Sequence, residues 1–233
     1  IAGLACALAR QCFITEYVWT PADGENGPAG ALRDQMLRDL ASGATIAPLT
    51  LAVVAAYVPL HSLPEADALL QREWPAPVTA LLQVQLREPL EEMREHAAIA
   101  TLGPVKDSVS LEVMRQYKEN PYPRWTINPM NAFAATAQPQ ERDILVAGCG
   151  TGQHAVQLAQ LHPNARVLAV DISMASLAYA RRKTRELGFR NVEYAKADIL
   201  ELGAIGRTFD HIESVGVLHH LAEPAAGWRV LVS

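Results

Sequence analysis

The chain has few cysteines and no excess of positive charge. Its three cysteines, two of them close together near the N-terminus, give neither a disulfide framework nor the spacing of a metal site. The formal net charge of −5 argues against a nucleic-acid surface carried by bulk charge. Basic residues do cluster at positions 181–185, but on a predicted helix, where they indicate a solvated face rather than a track for phosphates.

Long hydrophobic runs are also lacking. The run LTLAVVAAYVPL, residues 49–60, is too short and too proline-broken to span a bilayer, and it predicts a buried core helix. No secretory n-region with a cleavage site is found. We therefore expect an intracellular protein with no membrane partner. Half of the 233 residues are hydrophobic, which is enough for one large core or two modest ones.

The first half of the chain predicts helices. Segments with helical spacing or a long apolar run are separated by proline and glycine, and no clean internal repeat emerges. These segments are residues 1–18, 29–40, 46–58, 64–74, 78–99 and 106–118. We expect an all-α region over residues 1–119, which could contact protein partners, and a linker over residues 120–142.

The most informative segment is ILVAGCGTG, residues 144–152. Its apolar run predicts a buried strand, and its three glycines predict a turn in which the backbone lies against a ligand. Amides at the start of the next helix would face the same ligand. A dinucleotide-binding fingerprint would have its third glycine at position 153, where the chain has Gln153. The spacing thus counts against a nicotinamide-dependent oxidoreductase without excluding it.

Three more strands are predicted after the glycines, alternating with helices. Asp171 ends the first of them, about 20 residues beyond the glycines, where a nucleoside-binding fold places a carboxylate that accepts from ribose hydroxyls. Such alternation predicts a parallel sheet with right-handed crossovers and ligands at the carboxyl ends of its strands. Gly148, Asp171, Asp198 and residues 215–219 all fall at such ends.

Over residues 143–233, the chain resembles class I S-adenosylmethionine-dependent methyltransferases. Four segments match the ordered motifs of that family: ILVAGCGTG, VLAVDIS, AKADIL and FDHIESVGVLHHL. Residues 116–125, QYKENPYPRW, are similar to the lead-in of bacterial members with an upstream helical, sometimes tetratricopeptide-repeat, region. The resemblance implies an α/β, Rossmann-like methyltransferase fold preceded by an all-α region, with S-adenosylmethionine as cofactor and a location in the bacterial cytoplasm. Only the first four strands of that fold can be counted and the chain lacks an initial methionine, so we expect an internal fragment whose fourth strand is an edge.

The resemblance also implies roles for individual residues. In the glycine loop (residues 148–152), residues 148–150 would run beside the methionine portion. Asp171 would hold the ribose, and Asp198 would accept from the adenine amino group. Ile172 and Ile199 would lie beside the adenine. The full set implied to bind cofactor is Gly148, Cys149, Gly150, Thr151, Gly152, Asp171, Ile172, Asp198, Ile199, Ser214 and Val215.

Several of these residues have a second interpretation. Asp171 could cap the following helix, and Asp198 could be a cap or turn residue. Cys149 is better explained as a small residue in a tight turn than as a nucleophile, because no partner base is evident. His219 and His220 could take a proton near neutral pH, or could cap a strand or face the core.

Methyl transfer by direct displacement to an unidentified small-molecule or protein acceptor is the predicted function. His219, His220 and Tyr117 are the candidate catalytic residues, while a general base is needed only if the acceptor must lose a proton. The NPYPRW segment in the linker would be a lid over the cofactor or a latch between domains. One departure supports a non-catalytic scaffold instead: the family has an acidic residue where this chain has Val146. If the chain does bind the cofactor, the contact that this acidic residue helps organise at the cofactor's amino-acid end would come from backbone carbonyls, Gln153 or His154 instead.

Overall fold

The computed structural model describes residues 1–19, 22–119, 124–126 and 141–233. The chain divides into two compact units, Ile1–Glu91 and Glu92–Ser233. This division falls well before residue 119, where the sequence predicts the helical region to end. Most of the predicted linker, including Tyr122, lies outside the described residues.

The first unit is helical. Proline begins α3 at its first position, where the missing N–H costs no hydrogen bond. Prolines at 64 and 75 bound the segment predicted as a helix over residues 64–74, of which the structure forms only a 3₁₀ turn. The elements are α1 (Ala2–Ile14), α2 (Asn26–Ala41), α3 (Pro48–Tyr57), 3₁₀ turns at Leu60–Ser62 and Ala66–Gln71, α4 (Ala76–Leu82), a π-helical turn at Gln83–Arg87 and α5 (Glu88–Glu95), which the division crosses.

Among the described residues of this unit, the buried side chains are apolar except for the amide of Gln85. Gln85, in the π-helical turn, is fully buried, and its Nε2 donates to the carbonyl oxygens of Ala9 and Ala55 at 2.8 and 2.9 Å. Its Oε1 accepts from the amide of Leu60 at 3.2 Å, so the buried polar group is satisfied. Around it, α3 buries Leu51 and Val54, as the sequence predicts. None of the helices in the described ranges combines the length and apolarity needed to cross a membrane.

The second unit alternates strands with helices. It contains a 3₁₀ turn at His96–Ala98, β1 (Ala100–Thr101), α6 (Ser108–Glu119), β2 (Asp143–Ala147), α7 (Gln153–Leu161), β3 (Arg166–Asp171), α8 (Met174–Glu186), β4 (Val192–Lys196), a 3₁₀ helix at Ile199–Ile205, β5 (His211–Glu213), a 3₁₀ turn at Leu218–His220 and α9 (Pro224–Leu231).

These strands form a parallel sheet in the order β1-β4-β3-β2-β5. The predicted fold class is therefore confirmed, with one strand more than expected, because β1 pairs with β4 from within the segment predicted to be all helical. The chain moves outward from β2 to β3 and β4, then returns to the other side of β2 as β5. Ligands bind at such a reversal, at the carboxyl ends of the strands.

Both faces of the sheet are covered. Alternate residues of β2 point to opposite sides: Ile144 and Val146 lie in a core with α7 and α8, whereas Leu145 and Ala147 lie in a core with the 3₁₀ helix and α9. Burial on both faces explains why β2 and β3 read as continuous apolar runs.

Candidate functional site

A cavity of about 410 Å³ opens at the carboxyl ends of the central strands, a volume usual for small-molecule sites. Most of the residues predicted to bind cofactor line it: Gly148, Cys149, Gly150, Thr151, Asp171, Ile172, Asp198, Ile199 and Val215. Two of the catalytic candidates, Tyr117 and His220, line it as well. Three predicted residues are not among its lining residues: Gly152, Ser214 and His219.

The glycine loop fixes one wall of the cavity. Gly148 has φ +80° and its amide donates to the carbonyl of Val170 at 2.8 Å, which folds the loop back toward β3. A Cβ at Gly148 would lie 2.3 Å from Cγ2 of Val217. Only glycine meets both conditions, because positive φ and the close neighbour each exclude a side chain.

Asp171 is held by the loop it faces. Its Oδ2 accepts from the amide of Gly150 at 2.8 Å and its Oδ1 from the amide of Ser173 at 2.8 Å. Burial raises the pKa of Asp171, although these backbone hydrogen bonds act in the opposite direction. Ser173 is the N-cap of α8, since its Oγ accepts from Ser176. Capping of that helix therefore does not explain Asp171.

Asp198 is a helix cap, as one interpretation from sequence proposes, and it also lines the cavity. Its Oδ1 accepts from the amide of Leu200 at 3.0 Å and so caps the 3₁₀ helix. Its Oδ2 is buried and has no hydrogen-bond partner among the described residues. A buried, unpaired acceptor costs free energy unless a donor reaches it. At a residue that lines the cavity, this oxygen suits a ligand N–H group.

Cys149 lies in the loop as a buried thiol. Burial, and secondarily the nearby Asp171 carboxylate, raise its pKa well above the ordinary value. The thiolate is the nucleophilic form of cysteine, and a raised pKa keeps it scarce at neutral pH. The environment thus favours the interpretation of Cys149 as a packing residue.

Helix α6 forms the opposite wall. Ser110, Val113 and Tyr117 line the cavity from one face of the helix, at the spacing i, i+3 and i+7. The Tyr117 ring meets the His220 ring edge to face, with centroids 6.4 Å apart. Ser110 and Val113 were missed from sequence, although helical spacing counted back from Tyr117 would have found them. His219 is exposed, and its ring is tilted by 41° against that of His220, with centroids 4.1 Å apart.

A further group lies at the start of α7. Gln153, His154 and Gln157 line the cavity beside Val146. His154 Nε2 contacts Oε2 of Glu213, while Oε1 of Glu213 is 2.7 Å from Nε2 of His211. Partial burial would raise the pKa of Glu213, but the hydrogen bonds from the two histidines hold it below its ordinary value. Glu213 was not predicted from sequence.

The basic cluster of α8 is a solvated face only in part, since Arg185 is exposed but Arg182 is not. Arg182 is buried, with its Nε 3.0 Å from Oε1 of the buried Glu92. Arg124 binds the same carboxylate through both oxygens, at 3.0 and 3.1 Å. Arg181 and Arg185 pair with Glu95. The residues 92, 95, 124, 181, 182 and 185 are called the ion-pair cluster below.

Trp125 extends this cluster to the glycine loop. Its indole N–H donates to the carbonyl of Thr151 at 2.8 Å, and Tyr179 donates to the carbonyl of Trp125. Neither Arg124 nor Trp125 is among the residues that line the cavity. The described part of the NPYPRW segment thus holds the outside of the loop.

Comparison with known proteins identifies a matching family. Residues 144–231 match the family described as the methyltransferase domain. An uncharacterised protein of Synechococcus sp. is 33% identical over 144 residues, covering 54% of this chain and 34% of that protein. The malonyl-[acyl-carrier protein] O-methyltransferase of Acetivibrio thermocellus is 44% identical over 59 residues, covering 25% of this chain and 20% of that protein.

Among solved structures, PKMT2 from Rickettsia typhi in complex with AdoHcy is 26% identical with a TM-score of 0.34, covering 39% of this chain and 16% of that one. The chain spans about a third or less of the length of the curated relatives named here. Over residues 144–231 the chain is thus similar to methyltransferase domains.

Proposed function

We propose that this chain transfers the methyl group of S-adenosylmethionine to a small-molecule or protein acceptor bound against α6. One observation carries the proposal: Asp171 and Asp198, at the ends of adjacent strands, face one cavity with the glycine loop, and Asp198 offers it a buried, unpaired oxygen. That arrangement suits a nucleoside, which brings hydroxyl donors at the ribose and an amino donor at the adenine.

The two carboxylates would bind different parts of the nucleoside, Asp171 the ribose and Asp198 the adenine. The two Asp171 oxygens accept the backbone amides of Gly150 and Ser173, and a carboxylate, with about four lone-pair sites, can accept a ribose hydroxyl as well. Asp198 Oδ2 would accept from the adenine amino group, which would satisfy the buried oxygen. Ile172 and Ile199 line the same part of the cavity and would pack on the base.

In this reaction the protein positions the acceptor and the methyl group and forms no covalent bond with either. S-adenosylmethionine supplies an electrophilic methyl group on a sulfonium, which a lone pair of the acceptor displaces directly. Val113 and Tyr117 would align the acceptor with that group at near-attack distance and limit access of water. His220, which lines the cavity beside Tyr117, would take a proton from an acceptor that must lose one.

Asp171→Asn is expected to weaken binding of S-adenosylhomocysteine by about tenfold or more, because a charge-assisted acceptor is lost at the ribose. Isothermal titration calorimetry on the whole chain measures this, beside NADH as a second ligand. The matched control is Asp143→Asn, which changes an aspartate at the opposite end of β2, outside the cavity. Binding of NADH in preference to S-adenosylhomocysteine would overturn the proposal.

Asp198→Asn is expected to invert the preference for the base. The amide keeps an oxygen to cap the 3₁₀ helix but presents an N–H₂ donor where the carboxylate presented an acceptor. Affinity for S-adenosylhomocysteine should fall about tenfold. The base of S-inosylhomocysteine carries an oxygen in place of the amino group, so the affinity for this ligand relative to S-adenosylhomocysteine should rise. Equal weakening of both ligands would contradict the contact between Asp198 and the base.

A further inference from the structure

The amino-acid end of the cofactor carries a positive charge, and the contacts proposed above for the ribose and the base do not provide an acceptor for it. S-adenosylmethionine and S-adenosylhomocysteine both carry an α-ammonium group, and a partly buried ammonium needs an acceptor. Asp171 and Asp198 are assigned above to the ribose and the base. At the glycine loop, β2 contributes the apolar Val146 to the cavity. The acceptor for the ammonium must therefore be a backbone carbonyl or a side chain of another element.

The neighbouring strand β5 has a carboxylate at the matching position. Val146 pairs in register with Glu213 in the parallel sheet. Side chains in register on adjacent strands point to the same face, about 4.8 Å apart. Glu213 thus places an acidic group one strand away from the position where the sequence resemblance predicts one.

Glu213 reaches the cavity through His154. It is not itself a lining residue, but His154 is, and the two side chains contact each other through Nε2 and Oε2. His211 donates to the second oxygen of Glu213 from the other side, at 2.7 Å. A carboxylate that accepts from Nε2–H fixes the imidazole tautomer, so that Nδ1 carries the lone pair. An imidazole held in this way is a stronger acceptor, by the same logic that orients histidines in metal sites.

We propose that His154, oriented by Glu213, accepts a hydrogen bond from the α-ammonium group of the cofactor and so replaces the acidic side chain missing at Val146. The inference rests on the proposed function, since it assigns a further contact of the same cofactor. His154 is the binding residue and Glu213 is a positioning residue that acts through it. The pair also adds one negative charge near a cationic group, which favours binding of the charged ligand.

The test uses three ligands that differ only at the amino-acid end. S-adenosylhomocysteine has both the amine and the carboxylate, its decarboxylated form keeps the amine alone, and 5′-methylthioadenosine has neither group. Calorimetric titration of the whole chain is compared with that of His154→Ala and Glu213→Gln. The matched control is Glu193→Gln, an exposed carboxylate on β4 that pairs with Arg207 and does not line the cavity.

Both variants should lose about tenfold in affinity for the two amine-bearing ligands and keep their affinity for 5′-methylthioadenosine, while the control changes none of the three. Equal weakening of all three ligands would mean that the pair only supports the cavity walls, and it would overturn the inference. Loss for S-adenosylhomocysteine but not for its decarboxylated form would assign the pair to the carboxylate and overturn it too. Failure of the unmodified chain to bind any of the ligands would overturn the proposed function, and the inference with it.

Discussion

Replacement of Glu92 by alanine is expected to lower the free energy of unfolding of the unit formed by residues 92–233 by about 3–5 kcal/mol. Glu92 is buried and is the counterion of both Arg124 and Arg182. Without it, Arg182 keeps Glu186, whose side chain is half exposed, but its Nε loses a charged partner inside the fold. Removal of one partner from a buried ion pair is costly because the remaining charge stays desolvated.

Hydrogen–deuterium exchange of the α8 amides during urea unfolding measures this effect, because it reports on the second unit separately from residues 1–91. Glu91→Ala is the matched control, since Glu91 is the preceding residue of α5 and lies outside the ion-pair cluster. The control should change stability by less than about 1 kcal/mol. A similarly small loss for Glu92→Ala would show that the cluster is no more than a set of surface ion pairs.

Gly152→Ala is expected to cost about 3 kcal/mol, since it combines backbone strain with a steric clash. Gly152 has φ +81°, which disfavours any side chain. An added Cβ would also lie 2.5 Å from Cβ of Ala180 and 3.2 Å from its Cα, so backbone of α8 would have to move. Because α8 packs on the sheet, that shift would displace the glycine loop and weaken binding of S-adenosylhomocysteine as well.

A second glycine allows the two contributions to be separated. Gly188 has the same φ of +81°, but a Cβ there would meet nothing within 4 Å. Gly188→Ala should therefore cost only the strain, about 1 kcal/mol, and leave ligand affinity unchanged. Thermal and urea unfolding of the two variants in parallel give the difference. Equal losses of stability would refute the clash at Gly152.

The sequence predicted the strands that hold the site because each has a strong local pattern. Strands β2 and β3 are continuous apolar runs, and the glycines and Asp171 mark their ends. The order of these strands follows from their crossovers. Strand β1 could not be predicted in this way, because its two exposed residues have no period to detect.

Contacts between residues far apart in the sequence could not be predicted either. Glu92 and Arg182 are 90 positions apart, and His154 and Glu213 are 59 apart, so no spacing rule connects either pair. The burial of Arg182 was missed for the same reason: the local pattern of α8 is that of a surface helix, and the acidic partner Glu92 lies on α5. A local pattern describes one element, whereas these contacts depend on which elements the fold brings together.

The family match begins at residue 144, but the structure that supports the glycine loop begins some 50 residues earlier. The loop is held from outside by Trp125, which packs against α8, and α8 is anchored by an acidic residue of α5. A protein made of the matched segment alone would lack the edge strand β1, the indole of Trp125 that is bonded to the loop, and Glu92, the counterion of the buried Arg182. The boundary of sequence similarity and the boundary of the folding unit are thus different places in this chain, and an experimenter who trims the protein should follow the second.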